Sequence, residues 1–185
     1  LSPYLDEAAH PQPLNVYATT KALSELTVFS CCPNALVIRT NFYGWGTSYR
    51  YSFADHIIAA LVEGRHYNAF HDIFFTPILV SDLADTVHQL LERGAIGIFN
   101  VVGDQRLSKY DFAVLIANTF GFPPSLVHPV SIEEKSMLVR RPKDMSLSNL
   151  KVRQFISKSL GTVEHGVRRL FDQHVKGTQQ ELKLL

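Results

Sequence analysis

Long apolar runs are missing from this sequence: no stretch approaches the ~20 residues that a membrane-spanning helix needs. Blocks of like charge are missing too. Lys and Arg number 18 against 17 Asp and Glu, a net charge of +1, so there is no large positive field to recruit nucleic acid. Cysteine is scarce, with two residues that are neighbours, Cys31 and Cys32. Adjacent cysteines sit too close at Cα for a relaxed disulfide. They read as two half-buried thiols near a helix end, in a reducing, cytoplasmic compartment. The eight histidines are scattered, with no pairing at metal-ligand spacing, which argues against a metal site. The stretch Leu1 to Glu7 has the form of neither a signal peptide nor a transit peptide. Internal repeats and low-complexity tracts are also absent.

What is present is core material. The chain has 185 residues, 46% hydrophobic and 19% charged, which suits one domain, or one domain plus a lobe, and excludes disorder. Residues 1–14, with Pro3, Pro11 and Pro13, read as a loop. A helix is predicted from Leu14 or Asn15 to about Ser30, with Asn15 as cap and Val16, Ala22, Leu23 and Leu26 at helical spacing. The apolar run 35–40 predicts a buried parallel strand, and a Gly- and aromatic-rich loop, 41–47, follows it. A second helix spans Ser52 to Glu63 and ends at Gly64. Residues 67–80 read as extended segments broken by Pro77, and Ser81 as the cap of a helix from Asp82 to Arg93. Asp82 and Asp85 therefore read as a helix start, not as catalytic carboxylates. A second buried strand covers 97–102. Ser108-Lys-Tyr-Asp111 has the form of a capping box opening a helix to about Phe120, closed by Gly121. A strand from Leu126 to Ser131, a short helix from Ser148 to Phe155, a helix from Thr162 to His174 and a frayed tail after Lys176 complete the reading. Strands alternating with helices make the class α/β. Two buried strands do not make a stable parallel sheet, so part of a sheet is expected to be missing.

Tyr17 and Lys21 lie four apart on the first predicted helix, one turn apart on one face. A free tyrosine, with a pKa of about 10, is a poor acid or base at neutral pH. An ammonium beside it favours the phenolate, and such a tyrosine can pass a proton to or from a carbonyl oxygen. The same spacing also describes an ordinary exposed helix pair worth a few tenths of a kcal/mol.

The surroundings discriminate. Pro13-Leu-Asn-Val-Tyr-Ala-Thr-Thr-Lys-Ala-Leu-Ser-Glu25 resembles the Tyr-x-x-x-Lys helix of the extended short-chain dehydrogenases/reductases. Val37-Ile-Arg-Thr-Asn-Phe-Tyr-Gly44 is similar to the strand and loop that follow it, and Pro77-Ile-Leu-Val-Ser-Asp-Leu-Ala-Asp85 to the later strand-to-helix segment. Gly97 to Gly103, then Ser108 to Ala113, resemble the next segment, and Arg141-Pro with Ser146-Leu-Ser-Asn149 the end region of dTDP-4-dehydrorhamnose reductase-like members. The order holds over nearly the whole chain. The resemblance implies the C-terminal part of a Rossmann-like parallel sheet plus a small α/β substrate-binding lobe. Residues 1–50 would end the dinucleotide-binding fold, and 51–185 would be mainly the lobe, with one returning strand at about 96–103.

It also implies roles. Tyr17 is the proton donor, and Lys21 tunes it and binds the nicotinamide ribose of NADPH or NADH. Thr40 and Asn41 lie near the cofactor, and Asn41 and Phe42 near the sugar. Ser52 and Phe53 open a helix whose free amides suit a diphosphate, and Arg141 can pair with that diphosphate bidentately. Alternatives stay open: Asn41 as a turn residue, Arg141 as solvated surface, Phe42, Tyr43 and Trp45 as core or lid aromatics. Arg39 reads as a structural ion-pair partner.

A complete member carries a Gly-rich turn after its first strand and a Ser or Thr for the substrate carbonyl. Neither is here; Gly94-Ala-Ile-Gly97 sits between a helix and a strand. The chain is expected to be a piece of a longer protein or a natural short form that only binds; the unpaired sheet edge favours the first. The expected whole is a reductase of a nucleotide-activated 4-keto sugar, as in dTDP-rhamnose biosynthesis. An epimerase or dehydratase is one alternative. A non-catalytic partner resembling the regulatory subunit of methionine adenosyltransferase is another. The resemblance further implies a homodimer through helices 15–30 and 52–63, with Leu26, Phe29, Ile57 and Ala60 serving either a partner or the core.

Overall fold

The computed structural model describes residues 3–134 and 140–184. In chain order the elements are α1 (Val16–Cys31), β1 (Leu36–Arg39), β2 (Phe42–Tyr43), α2 (Phe53–Val62), β3 (Tyr67–Phe70), β4 (Phe74–Phe75), β5 (Ile78–Leu79), α3 (Val80–Glu92), β6 (Gly97–Asn100), β7 (Leu107–Ser108), α4 (Lys109–Phe120), β8 (Val127–Val130), α5 (Leu150–Ile156), α6 (Val163–Val175) and α7 (Thr178–Leu182). The fold is α/β, with strands joined in pairs. β1–β6, β2–β5 and β3–β8 are parallel, and β4–β7 is antiparallel.

Local chemistry sets most helix starts. The Asn15 side chain accepts the Ala18 amide at 2.9 Å and starts α1. Reciprocal capping boxes open α2, from Ser52 and Asp55, and α4, from Ser108 and Asp111. Gly121 closes α4 with φ of 76°, a left-handed conformation that costs glycine little.

Two cores result. One lies between the β1–β6 pair and helices α3 and α5, built from Leu90, Phe99, Val101, Val152 and Ile156. The other gathers Ile57 and Leu61 of α2, Phe112 and Ile116 of α4, and Val167 and Leu170 of α6. Phe112 is its hub: Tyr43 and Phe75 meet its ring edge-on at 4.9 and 5.5 Å, and Phe53 stacks at 5.7 Å. Burying one such side chain is worth roughly 1.5–3 kcal/mol.

Four expectations need correction, on strand burial, the cysteines, Ser81 and the tail. β1 is half-buried at every position and β6 at its first two, not fully buried. Side chains alternate along a strand, and only the Leu36 and Ile38 side packs on the first core. The apolar stripe of α1 faces solvent, with Val16, Leu23 and Leu26 between 56% and 80% exposed; periodicity shows that a face is apolar, not what covers it. Cys31 and Cys32 are exposed, because they end that uncovered helix. Ser81 is not a cap: α3 starts from Leu79 without a side-chain cap bond, and the Ser81 hydroxyl accepts from Arg169. The tail after Lys176 is not frayed but turns into α7. Ile57 and Ala60 lie in the core, at 0% and 3% exposure, while Leu26 is exposed and Phe29 half-buried. Among the described residues no helix is long and apolar enough to cross a membrane, and no three His, Cys, Asp or Glu side chains cluster as metal ligands.

Candidate active site

α1 presents Tyr17 and Lys21 on one ridge, the Lys21 Nζ 5.7 Å from the Tyr17 ring centroid. Tyr17 is 72% exposed. One turn further along, Glu25 pairs with Arg39 at 2.7 Å, the structural ion pair expected of Arg39. The same guanidinium donates to the carbonyls of Ala9 and Glu7. This pair pins the helix to the end of β1, where Thr40 and Asn41 follow.

The segment 140–147 draws the remaining pieces together. The Asn15 side-chain nitrogen donates to the Arg140 carbonyl at 2.8 Å. The Asn41 side-chain nitrogen donates to the Met145 carbonyl at 3.0 Å. Met145 and Phe74 are joined backbone to backbone, and the Leu147 amide donates to the buried Thr76 hydroxyl. The start of the Tyr17 helix and Asn41 are thus each one hydrogen bond from the strip of chain that carries Arg141. The Thr40 hydroxyl is buried with no hydrogen-bond partner among the described residues.

Beyond Asn41 the loop folds over a cavity of about 510 Å³, lined by Phe42, Trp45, Tyr49, Tyr51, Ser52 and Phe53 among others. Phe42 is 60% exposed and open to a ligand. Gly46 permits the fold, since a Cβ there would collide with the Arg50 carbonyl. Asp55 holds the loop down, accepting from the amides of Gly46 at 2.7 Å and Ser52 at 2.9 Å. The Ser52 hydroxyl accepts from the Asp55 amide and donates to the Gly44 carbonyl. Ser52 therefore has no spare hydroxyl proton, and a carboxylate already sits at the start of α2. The Phe53 ring stacks on Phe112 and also reaches the cavity wall.

The electrostatics single out a residue that sequence reasoning missed. Lys109, the first residue of α4, holds its Nζ 3.3 Å from the Phe75 ring centroid and 4.3 Å from that of Phe53. Burial, with the Arg141 charge nearby, lowers its pKa to about 7. The capping-box motif pointed to Lys109 only as a helix start. Arg141 itself is exposed. Elsewhere Tyr43 is disfavoured as an acid: burial and then Asp82 push its phenol well above the ordinary range. Asp144 is lowered despite partial burial, because Arg106 and Ser146 hydrogen-bond its carboxylate.

Residues 2–176 match the family model described as the RmlD substrate binding domain. A probable low-salt glycan biosynthesis reductase, Agl14, from Haloferax volcanii is 26% identical over 170 residues, 90% of this chain and 57% of that protein. Methionine adenosyltransferase 2 subunit beta from Rattus norvegicus is 28% identical over 152 residues, 78% of this chain and 45% of that one. The dTDP-4-dehydrorhamnose reductase of Bacillus anthracis, solved in complex with NADP, superposes with a TM-score of 0.84 at 25% identity, over 92% of this chain and 59% of that one. The chain thus spans about half the length of the curated relatives it matches.

Proposed function

The chain belongs to the RmlD substrate binding domain family, and from that premise we propose that it is the substrate-binding part of an NAD(P)-dependent reductase of a nucleotide-activated 4-keto sugar. The observation that carries this reading is the solvent-open Tyr17–Lys21 pair on a helix whose cap is bonded to the strip that holds Arg141. The residues present fit the nicotinamide–ribose end of a dinucleotide: Lys21 is exposed, Tyr17 lies beside it, and the Thr40 hydroxyl has no hydrogen-bond partner among the described residues. A nicotinamide held there would supply hydride. Lys21 would donate to its ribose hydroxyls and keep a positive charge near the phenol. Tyr17 gives its hydroxyl proton to the carbonyl oxygen as that oxygen gains negative charge. Asn41 and Phe42 orient the sugar, and Phe53 and Arg141 hold the nucleotide side. In this reading residues 1–50 end the dinucleotide-binding fold and 51–185 form mainly the substrate lobe.

The test is turnover in the complete protein. NADPH oxidation with a 4-keto sugar nucleotide is expected, and Tyr17→Phe should cut kcat by orders of magnitude with KM nearly unchanged. Because Tyr17 is exposed, Tm should not move. Unchanged activity in Tyr17→Phe sinks the reading.

A second reading rests on the likeness to methionine adenosyltransferase 2 subunit beta: a non-catalytic partner of another enzyme. A stoichiometric enzyme partner in a native pulldown, with no reductase activity in the complete protein, would favour it. An epimerase or dehydratase would instead interconvert sugar nucleotides without net consumption of NADPH.

A further inference from the structure

The cavity loop, residues 44–52, hangs on a carboxylate that is itself held from far along the chain. Asp55 is 2% exposed. Its Oδ2 accepts from the amides of Gly46 and Ser52, at 2.7 and 2.9 Å. Its Oδ1 accepts from the Gln179 side-chain nitrogen at 3.3 Å, and from no other donor among the described residues. The two oxygens of a carboxylate exchange places by rotation about its last side-chain bond. With donors on one side only, a buried carboxylate keeps an oxygen short of a partner. Gln179 supplies that partner and fixes which oxygen faces the loop.

Gln179 also reaches the loop by a second route. Its side-chain oxygen lies 3.0 Å from His174 Nδ1. The His174 ring lies 5.7 Å from that of Trp45, which lines the cavity. A primary amide is donor and acceptor at once, so one side chain serves both contacts. The rest of α7 keeps it in place. Gly177 leads into the helix with φ of 81°, and Leu182 packs on the second core. The Lys183 Nζ lies 4.9 Å from the ring centroid of Tyr51, another cavity residue. The family-model match ends at residue 176, whereas α7 starts at Thr178. Its grip on the loop therefore does not come with the family likeness.

We propose that Gln179 is a positioning residue: by holding Asp55 it fixes the 44–52 loop in the shape that receives the ligand. Gln179 does not itself line the cavity, so it acts through Asp55. The identity of the ligand rests on the nucleotide-sugar reading above; the dependence of the loop on Gln179 does not.

Trp45 is the single tryptophan, so acrylamide quenching of its emission reads the loop in this chain with no ligand added. Well below Tm, Gln179→Glu should raise the quenching constant about twofold or more, because the new carboxylate keeps the size, offers Asp55 no donor and repels it. Gln179→Lys restores a donor to Asp55 but cannot accept from His174, and should stay near wild type. Gln180→Ala, an exposed position of the same helix, should change nothing. Equal quenching in Gln179→Glu and wild type overturns the proposal, as does a Lys variant as open as the Glu variant. In the complete protein, assayed by reduction of a 4-keto sugar nucleotide, Gln179→Glu should raise KM about tenfold and leave kcat within about twofold. A fall in kcat at unchanged KM overturns the positioning role. So does a fall in Tm with quenching and KM unmoved, the mark of a merely structural residue. If no sugar is reduced while quenching follows the variants as above, the reductase reading falls and the role of Gln179 stands. If sugar is reduced with KM unmoved, the role of Gln179 falls and the reductase stands.

Discussion

Arg39 ends β1 with its guanidinium closed on Glu25 by three hydrogen-bond contacts, from 2.7 to 3.3 Å. Its remaining nitrogen holds the carbonyls of the incoming loop. Both side chains are mostly covered, at 16% and 21% exposure, so removing one partner leaves the other short of hydrogen bonds in a poor solvent. Glu25→Ala should therefore destabilise the chain by about 1–3 kcal/mol, measured by urea unfolding, and should loosen α1 in hydrogen exchange. The role of Arg39 was legible in the sequence, because a charged residue closing an apolar strand needs a partner. Lys109 was not legible in the same way. Its local context shows only a helix start, while its two rings come from β4 and the beginning of α2, which only the folded chain brings to it.

Helices with chemistry at their ends were readable. The Ser108-x-x-Asp111 box, the Asn15 cap and Gly121 each act within one turn, so sequence neighbours decide them. α7 depends on distant partners and was missed. It is a five-residue helix, too short to persist alone. Gln179 reaches the Asp55 carboxylate at 3.3 Å, Lys183 lies 4.9 Å from the Tyr51 ring centroid, and Leu182 packs on the second core. It thus closes over the same loop that Asp55 holds down. The chain has a single tryptophan, Trp45, packed near Phe120 and His174. Truncation after Lys176 should lower Tm and shift Trp45 emission to the red as the loop opens to water. An unchanged spectrum would show that α7 does not support the loop. The stripe on α1 was read correctly as apolar, but the sequence did not show that the described chain leaves it open.

Across the molecule, buried ionisable groups set how stability follows pH. Lys109 titrates near 7 when folded and at its ordinary value, 10.5, when unfolded. Between those values the unfolded chain binds more protons than the folded one, so stability should rise with pH. Below about 7 both states are charged and the cost of the buried cation is fully present. Above roughly 10 the trend should reverse, because burial raises Tyr43 and Tyr67 and their unfolded phenols ionise first. Urea unfolding across that range should show the rise, and Lys109→Met should flatten it; a rise that persists in the variant would place its origin elsewhere. One further consequence concerns Asn15. Its oxygen begins the Tyr17 helix, and its nitrogen grips the strip carrying Arg141. Asp, Ser or Thr can do the first job, but a carboxylate cannot donate and a hydroxyl is too short to span both. Position 15 therefore faces two filters at once: many residues there would leave a well-formed helix, and few would keep that helix tied to the strip that carries Arg141.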